Sequence, residues 1–298
     1  MSAIPLTVLD GGMGRELARR GAPFRQPEWS ALALMEAPEQ VQAVHEDFIA
    51  GGARVITSNS YALVPFHIGE ERFAADARGL ASRAGRLARA AASAASGVRV
   101  AGSLPPLFGS YRPDLFDAGR AAEVLAPLVS GLAPHVDLWL AETQSSIAEA
   151  RAIRAGLPDD GKPFWLSLTL RDDSVDGPAV LRSGETVADA AEAAVGMGAE
   201  ALLFNCSRPE VMGAALAAAR SVVERLGAAL TLGVYANAFP PQPEDATAND
   251  GLDELREDLD PAGYLQWAAA WREQGADIIG GCCGIGPEHI AALSRELG

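Results

Sequence analysis

Gly196-Met197-Gly198-Ala199 stops a helical pattern, Ala201-Leu202-Leu203-Phe204 follows as a short apolar run, and Asn205-Cys206-Ser207 ends that run in polar and sulfur side chains. Glycine takes the left-handed backbone of a helix cap without steric penalty, so these glycines close the helix Val187–Gly198. The run Ala201–Ser207 then reads as a strand. The same device recurs. Gly51-Gly52-Ala53 ends the pattern Glu39–Gly51 before Arg54–Ser60, and Gly275-Ala276 ends Pro261–Gln274 before Asp277–Cys283.

Working outward from these units, candidate strands fall at Leu6–Gly12, Arg54–Ser60, Arg99–Pro105, Val136–Thr143, Phe164–Leu170, Ala201–Ser207, Leu230–Asn237 and Asp277–Cys283. Amphipathic helical stretches separate or follow them at Glu39–Gly51, Ala77–Ala95, Ala121–Leu132, Ser146–Gly156, Val187–Gly198, Val211–Leu226, Pro261–Gln274 and Pro287–Leu297. Strand then helix, eight times over, predicts parallel strands joined by crossover helices. Eight units fit a closed barrel better than an open doubly wound sheet. The expectation is an α/β fold, a (β/α)8 TIM barrel forming one domain over residues 1–298. Two long connections, Ala62–Asp76 after the second strand and Phe239–Asp260 after the seventh, are expected as lids over one face.

The bulk properties narrow the partners. Of 298 residues, 49% are hydrophobic and 21% charged, which suits a globular chain with a large core. A formal net charge of -15 repels phosphate backbones, so nucleic acid is a poor partner. No apolar run reaches the roughly 20 residues a bilayer needs, so no membrane is expected. Met1 to Leu9 carry no basic segment ahead of a signal-like core, which leads to a cytoplasmic expectation. A homo-oligomer stays open.

Barrel enzymes carry their chemistry at the C-terminal ends of the strands, and there the unusual residues collect. They are Asp10-Gly11-Gly12-Met13-Gly14, Thr57-Ser58-Asn59-Ser60, Gly102-Ser103, Glu142-Thr143, Asn205-Cys206-Ser207, Tyr235-Ala236-Asn237 and Gly280-Gly281-Cys282-Cys283-Gly284. Three cysteines are an odd number and two are adjacent, so metal binding or thiol chemistry is a better reading than a structural disulfide. Three thiolates at a mouth match a catalytic zinc site with a fourth position open; three small buried hydrophobes are the competing reading. His45, His135 and His289 fall away from the mouth, whereas His67, on a loop at the correct face, stays open as a fourth ligand. Asp10-Gly11-Gly12 reads equally as a turn, and it lacks the G-x-G-x-x-G spacing of a dinucleotide site.

Taken together, Leu9-Asp10-Gly11-Gly12-Met13-Gly14, Thr57-Ser58-Asn59-Ser60-Tyr61, Glu142-Thr143, Asn205-Cys206, Gly280-Gly281-Cys282-Cys283-Gly284 and Pro287-Glu288-His289-Ile290 give a sequence that resembles the homocysteine S-methyltransferase family. The resemblance runs from the first strand to the last. It implies that Cys206, Cys282 and Cys283 bind zinc, and that Asp10 and Glu142 hold the amino group of homocysteine. It puts Gly11, Gly12 and Asn205 in the substrate-binding set. Ser58, Asn59, Ser103 and Tyr235 are further candidates, as is Asn237, also a candidate oxygen ligand to the metal. The sequence departs from the family at Gln144-Ser145-Ser146, where relatives carry an apolar residue and proline, and at Gly284, where one branch carries arginine.

The function implied is zinc-dependent transfer of a methyl group from a small onium donor, S-methylmethionine-like or betaine-like, to the thiol of homocysteine, giving methionine. A selenium analogue of the acceptor fits the same chemistry. No folate or cobalamin module is expected. An onium donor calls for aromatic faces, and Tyr61, Phe66, Phe108, Tyr111, Tyr235 and Phe239 follow strand ends. Two other functions stay in view: a zinc-free thiol-redox or sulfur-transfer enzyme using Cys282-Cys283, and a non-catalytic zinc-binding barrel.

Overall fold

Among the described residues, every strand runs parallel to its neighbours in one eight-stranded sheet. The computed structural model describes residues 5–241 and 254–298. Its strands are β1 Thr7–Val8, β2 Val55–Thr57, β3 Arg99–Leu104, β4 Leu138–Gln144, β5 Phe164–Leu168, β6 Ala201–Asn205, β7 Thr231–Tyr235 and β8 Ile278–Ile279. They lie in the order β1-β8-β7-β6-β5-β4-β3-β2. The two ends of that order meet. Leu9 bridges Val55 in parallel, Arg54 N donates to Val8 O at 2.8 Å, and Asp10 N donates to Val55 O at 3.1 Å. The sheet is therefore the expected (β/α)8 barrel.

Alternation along each strand divides the apolar residues into two cores. Leu138 and Leu140 of β4 face inward with Val55, Ala101, Leu203 and Ile278. Trp139 and Ala141 face outward, joining Ile56, Val100, Leu166 and Val234 under the helices. Helices Pro38–Ala50, Ala121–Leu132, Ile147–Gly156, Val187–Gly196, Pro209–Leu226, Pro261–Glu273 and Pro287–Leu297 agree closely with the sequence pattern. Gly52, Gly198 and Gly275 hold φ of 104°, 70° and 88° at the helix ends, as the repeated glycine device predicts.

Two expectations change, for the Ala62–Asp76 connection and for the strand ends. Ala62–Asp76 is not an open connection: Pro65–Ile68 is a short helix, and the next helix begins at Glu70 and runs to Ser93. Glu70 and Glu71 in its first turn complement the helix dipole, and Phe73 and Ala77 bury its inner face. Of Phe239–Asp260, residues 242–253 lie outside the described residues, so its reading as a lid does too. Seven of the eight strands are also shorter at their polar ends than the sequence suggests, while β4 runs one residue further, to Gln144. β6 stops at Asn205 because Cys206 takes φ 50°, a left-handed backbone that leaves the ladder. No helix among the described residues is long and apolar enough to cross a membrane.

Candidate active site at the barrel mouth

The inward face that carries leucine low in the barrel carries polar groups at its upper end. Thr57 of β2 holds the Asp10 carboxylate twice: its N donates to Oδ2 at 2.7 Å, and its Oγ1 lies 2.9 Å from Oδ1 and 2.8 Å from Oδ2. Ser103 of β3 donates to Glu142 Oε1, and Tyr235 of β7 donates to Oε2 at 3.4 Å. Burial pushes the Asp10 carboxyl up to about 7, against the Thr57 hydrogen bonds and with a further push from the Glu142 charge. Burial likewise pushes Glu142 up to about 7, opposed by the bonds from Ser103 and Tyr235. Two buried acids thus face one space, and among the described residues no cationic side chain lowers either carboxyl against burial. A ligand ammonium would supply that cation.

Beside them the three cysteines converge, with their sulfurs all within 4.8 Å of one another. Residues 76 apart in sequence meet here because β6 and β8 flank β7. Cys206 and Cys282, with Cα atoms 5.7 Å apart, are bonded as a disulfide that leaves out Cys283. The sequence favours metal binding or thiol chemistry over a structural disulfide. The same convergence that suits a metal brings two of the cysteines within the Cα spacing a disulfide spans.

Glycines permit this approach. A Cβ at Gly12 would lie 2.6 Å from the Cys282 carbonyl oxygen, and one at Gly281 would strike the Ile285 side chain. Gly12 N donates to Ile285 O at 2.9 Å, locking the first loop against the cysteine turn. With Cys206 and Cys282 reduced, three soft donors on one point, around a mouth open to ligand, fit a metal ion with three protein ligands.

Asp10, Gly11, Gly12, Ser58, Asn59, Glu142, Tyr235 and all three cysteines line a single cavity. Ser103, Asn205 and Asn237 are fully buried behind its wall. Asn237 Oδ1 accepts from Phe239 N at 3.3 Å. Of the aromatic candidates, Tyr61, Tyr111 and Phe239 also line the cavity; Phe108 packs on Phe116, and Phe66 on His67. His67 lies outside the cysteine cluster. Its Nδ1 is 3.0 Å from Pro27 O and its ring borders Trp29.

Trp29 itself lines the cavity and was missed in the sequence. Held at φ 49° and edge-on to Phe24 at 5.6 Å, it projects from the first βα connection. Its place in that connection, on the mouth side of the barrel, was the available signal.

A (β/α)8 barrel with a cysteine cluster and paired acids at its mouth defines a ligand-binding enzyme site built for sulfur chemistry. The model of the homocysteine S-methyltransferase family matches residues 7–297. A homocysteine S-methyltransferase of Escherichia coli is 31% identical over 98% of this chain and 95% of its own. The Bacillus subtilis enzyme YbgG, of the same name, is 29% identical over 100% and 97%. Among solved structures, the metallated form of the E. coli homocysteine methyltransferase MmuM superposes with a TM-score of 0.77 at 30% identity, covering 99% of this chain and 96% of that one. An oxidized form of MmuM gives the same TM-score at 29% identity. The chain belongs to the homocysteine S-methyltransferase family. It is an enzyme, and its reaction is methyl transfer to homocysteine.

Proposed function

We propose that the enzyme is zinc-dependent and takes its methyl group from a small onium compound, a sulfonium or a quaternary ammonium, giving methionine. The observation that carries this reading is one cavity in which three converging sulfurs adjoin two buried acids and a set of aromatic faces. Cys206, Cys282 and Cys283 would hold the metal in their reduced state. Zinc bound there would lower the pKa of the acceptor thiol from its ordinary value near ~8.5 and so supply sulfur as a nucleophile.

The protein's own residues do the rest. Asp10 and Glu142 receive the amino group of homocysteine, and each ionises as the ammonium relieves the burial that raises its pKa. Trp29, Tyr61, Tyr111 and Phe239 offer π faces to the donor cation. The acceptor sulfur forms the new S–CH3 bond as the bond from methyl to the donor heteroatom breaks. The thiol proton passes to solvent, and the donor departs with one positive charge fewer. The aromatic wall therefore holds the product less tightly than the donor. Placing two small substrates in one cavity contributes much of the acceleration.

The test is methionine formation from homocysteine, assayed in parallel with S-methylmethionine, S-adenosylmethionine, betaine, dimethylsulfoniopropionate and methyltetrahydrofolate. At least one onium donor should serve, and Tyr61→Leu or Phe239→Leu should raise its KM far more than the KM for homocysteine. Transfer from methyltetrahydrofolate alone would overturn the donor reading.

A further inference from the structure

Asn205 carries the Asn-Cys half of the motif, yet its side chain never reaches the cavity. It is fully buried, and both ends of its amide are engaged. Oδ1 accepts from Thr143 N at 3.1 Å and from Ser167 Oγ at 2.7 Å. Nδ2 donates to Thr143 Oγ1 at 2.8 Å. The amide of β6 therefore reaches across β5 to grip β4.

What it grips is an irregularity. Ala141 pairs with Leu166 and Gln144 with Leu168, so β4 has one residue more than β5 between those pairs. Such a bulge lifts a residue from the ladder and re-aims its neighbours. Thr143, at φ 58°, is the lifted residue. A non-glycine residue holds that backbone only where its surroundings over-determine it, and Asn205 supplies the partners: it satisfies the Thr143 amide and pins the Thr143 hydroxyl. The residue just before Thr143 is Glu142. The residue just after Asn205 is Cys206, itself at φ 50°. One buried amide thus stands between the two places where β4 and β6 turn their functional side chains into the mouth.

We propose that Asn205 is a positioning residue that couples the two halves of the site. It sets the Glu142 carboxylate through the bulge at Thr143 and the Cys206 sulfur through its own backbone, and it touches neither homocysteine nor metal. Binding of the amino group and of the metal therefore share one support. The inference rests on the proposed roles of Glu142 and Cys206.

The experiment compares reduced wild-type protein with Asn205→Leu, which keeps the bulk and removes the amide, and with Asn205→Asp, which keeps an acceptor for Thr143 N and Ser167. Zinc affinity is read by competition with a chromogenic chelator, and homocysteine binding to zinc-loaded protein by titration calorimetry. Asn205→Leu should weaken both, each by about tenfold to a hundredfold, as loss of support behind metal ligands does elsewhere. Asn205→Asp should recover most of both. Thr143→Val, which removes only the hydroxyl contact, should shift both in the same direction by less, and it serves if the leucine variant does not fold. Weakened homocysteine binding with wild-type zinc affinity would mean direct substrate contact and overturn the proposal. A lowered melting temperature with both affinities unchanged would reduce Asn205 to a packing residue and overturn it too. Wild-type protein that takes up no zinc would overturn the parent reading along with this one.

Discussion

Two levels of the barrel interior, two residues apart on the same strands, have opposite chemistry. At the lower level Val55, Leu140, Trp165 and Leu203 fill the inside with apolar side chains. At the upper level the next inward positions are Thr57, Glu142, Ser167 and Asn205. Leu140, Glu142, Ser167, Leu203 and Asn205 are all buried. What differs is how burial is satisfied. The lower side chains gain from leaving water; the upper ones must each find a hydrogen-bond partner, and among the described residues no cationic side chain offsets burial at Glu142 or Asp10. The lower level supplies the rigidity that lets the upper one keep two acids poised near neutrality for a ligand to complete.

The largest expected effect breaks the upper level outright. Cys206→Ala, Cys282→Ala or Cys283→Ala should abolish methyl transfer and lower the zinc content of reduced protein below one per chain. Circular dichroism and melting of the reduced proteins should stay near reduced wild type, because the apolar level does not depend on a metal. Wild-type protein should take up zinc only after reduction, since Cys206 and Cys282 bonded to each other cannot serve as thiolate ligands. A variant with full activity in metal-free form would remove zinc from the mechanism.

A neighbouring pair on β4 sharpens the contrast. Leu140→Ala should cost about 2–5 kcal/mol of stability by opening a cavity, with the homocysteine KM of the folded enzyme little changed. Glu142→Gln should do the reverse: KM rises roughly tenfold to a hundredfold, the loss of one charge-assisted bond worth about 1.5–3 kcal/mol, while the melting temperature holds. Denaturant melts and steady-state kinetics on the two variants read both quantities. If both changes move the same observable, the two levels are not separate.

The smallest effect lies outside the barrel mouth, in a buried group no ligand completes. His45 sits in helix Pro38–Ala50 with neither ring nitrogen hydrogen-bonded, and burial pushes its pKa from 6.5 down to about 4. A group that stays neutral when folded and charges when unfolded stabilises the fold fully above 6.5. That contribution is lost as pH falls from 6.5 towards 4, by about 2 kcal/mol at pH 5. Glu149 acts in the opposite sense. Burial holds its carboxyl at about 7, against bonds from Ser145 and Ser146, so its contribution is present at low pH and lost as pH rises from 4.5 through 7. Melting curves of His45→Leu from pH 7 to pH 5 should therefore be flatter on the acid side than wild type. Parallel curves would show that the imidazole finds a partner when it charges.

Much of this was legible without coordinates, for reasons that differ by residue. The helix Ala121–Leu132 matches its sequence pattern at both ends, because periodicity is local information. Asp10 and Glu142 were placed at strand ends by the same arithmetic, and both line the cavity. Trp29 was not singled out, and Thr57 was named only within the strand-end run Thr57–Ser60, with no role of its own. One lies in a connection without periodicity, and the other became significant only when its two donors met a carboxylate 47 residues away.

The sequence by itself determined the barrel, the face that carries the chemistry and the convergence of Cys206 with Cys282 and Cys283. Those follow from the order of strands and helices and from which residues end each strand. Only the tertiary structure decided which strand-end side chains enter the cavity and which support it from behind. That depends on one extra residue in β4 and on two left-handed backbones, at Thr143 and Cys206. Neither is a glycine, so no residue type announces the turn; contacts from neighbouring strands, the Asn205 amide foremost, hold it in place.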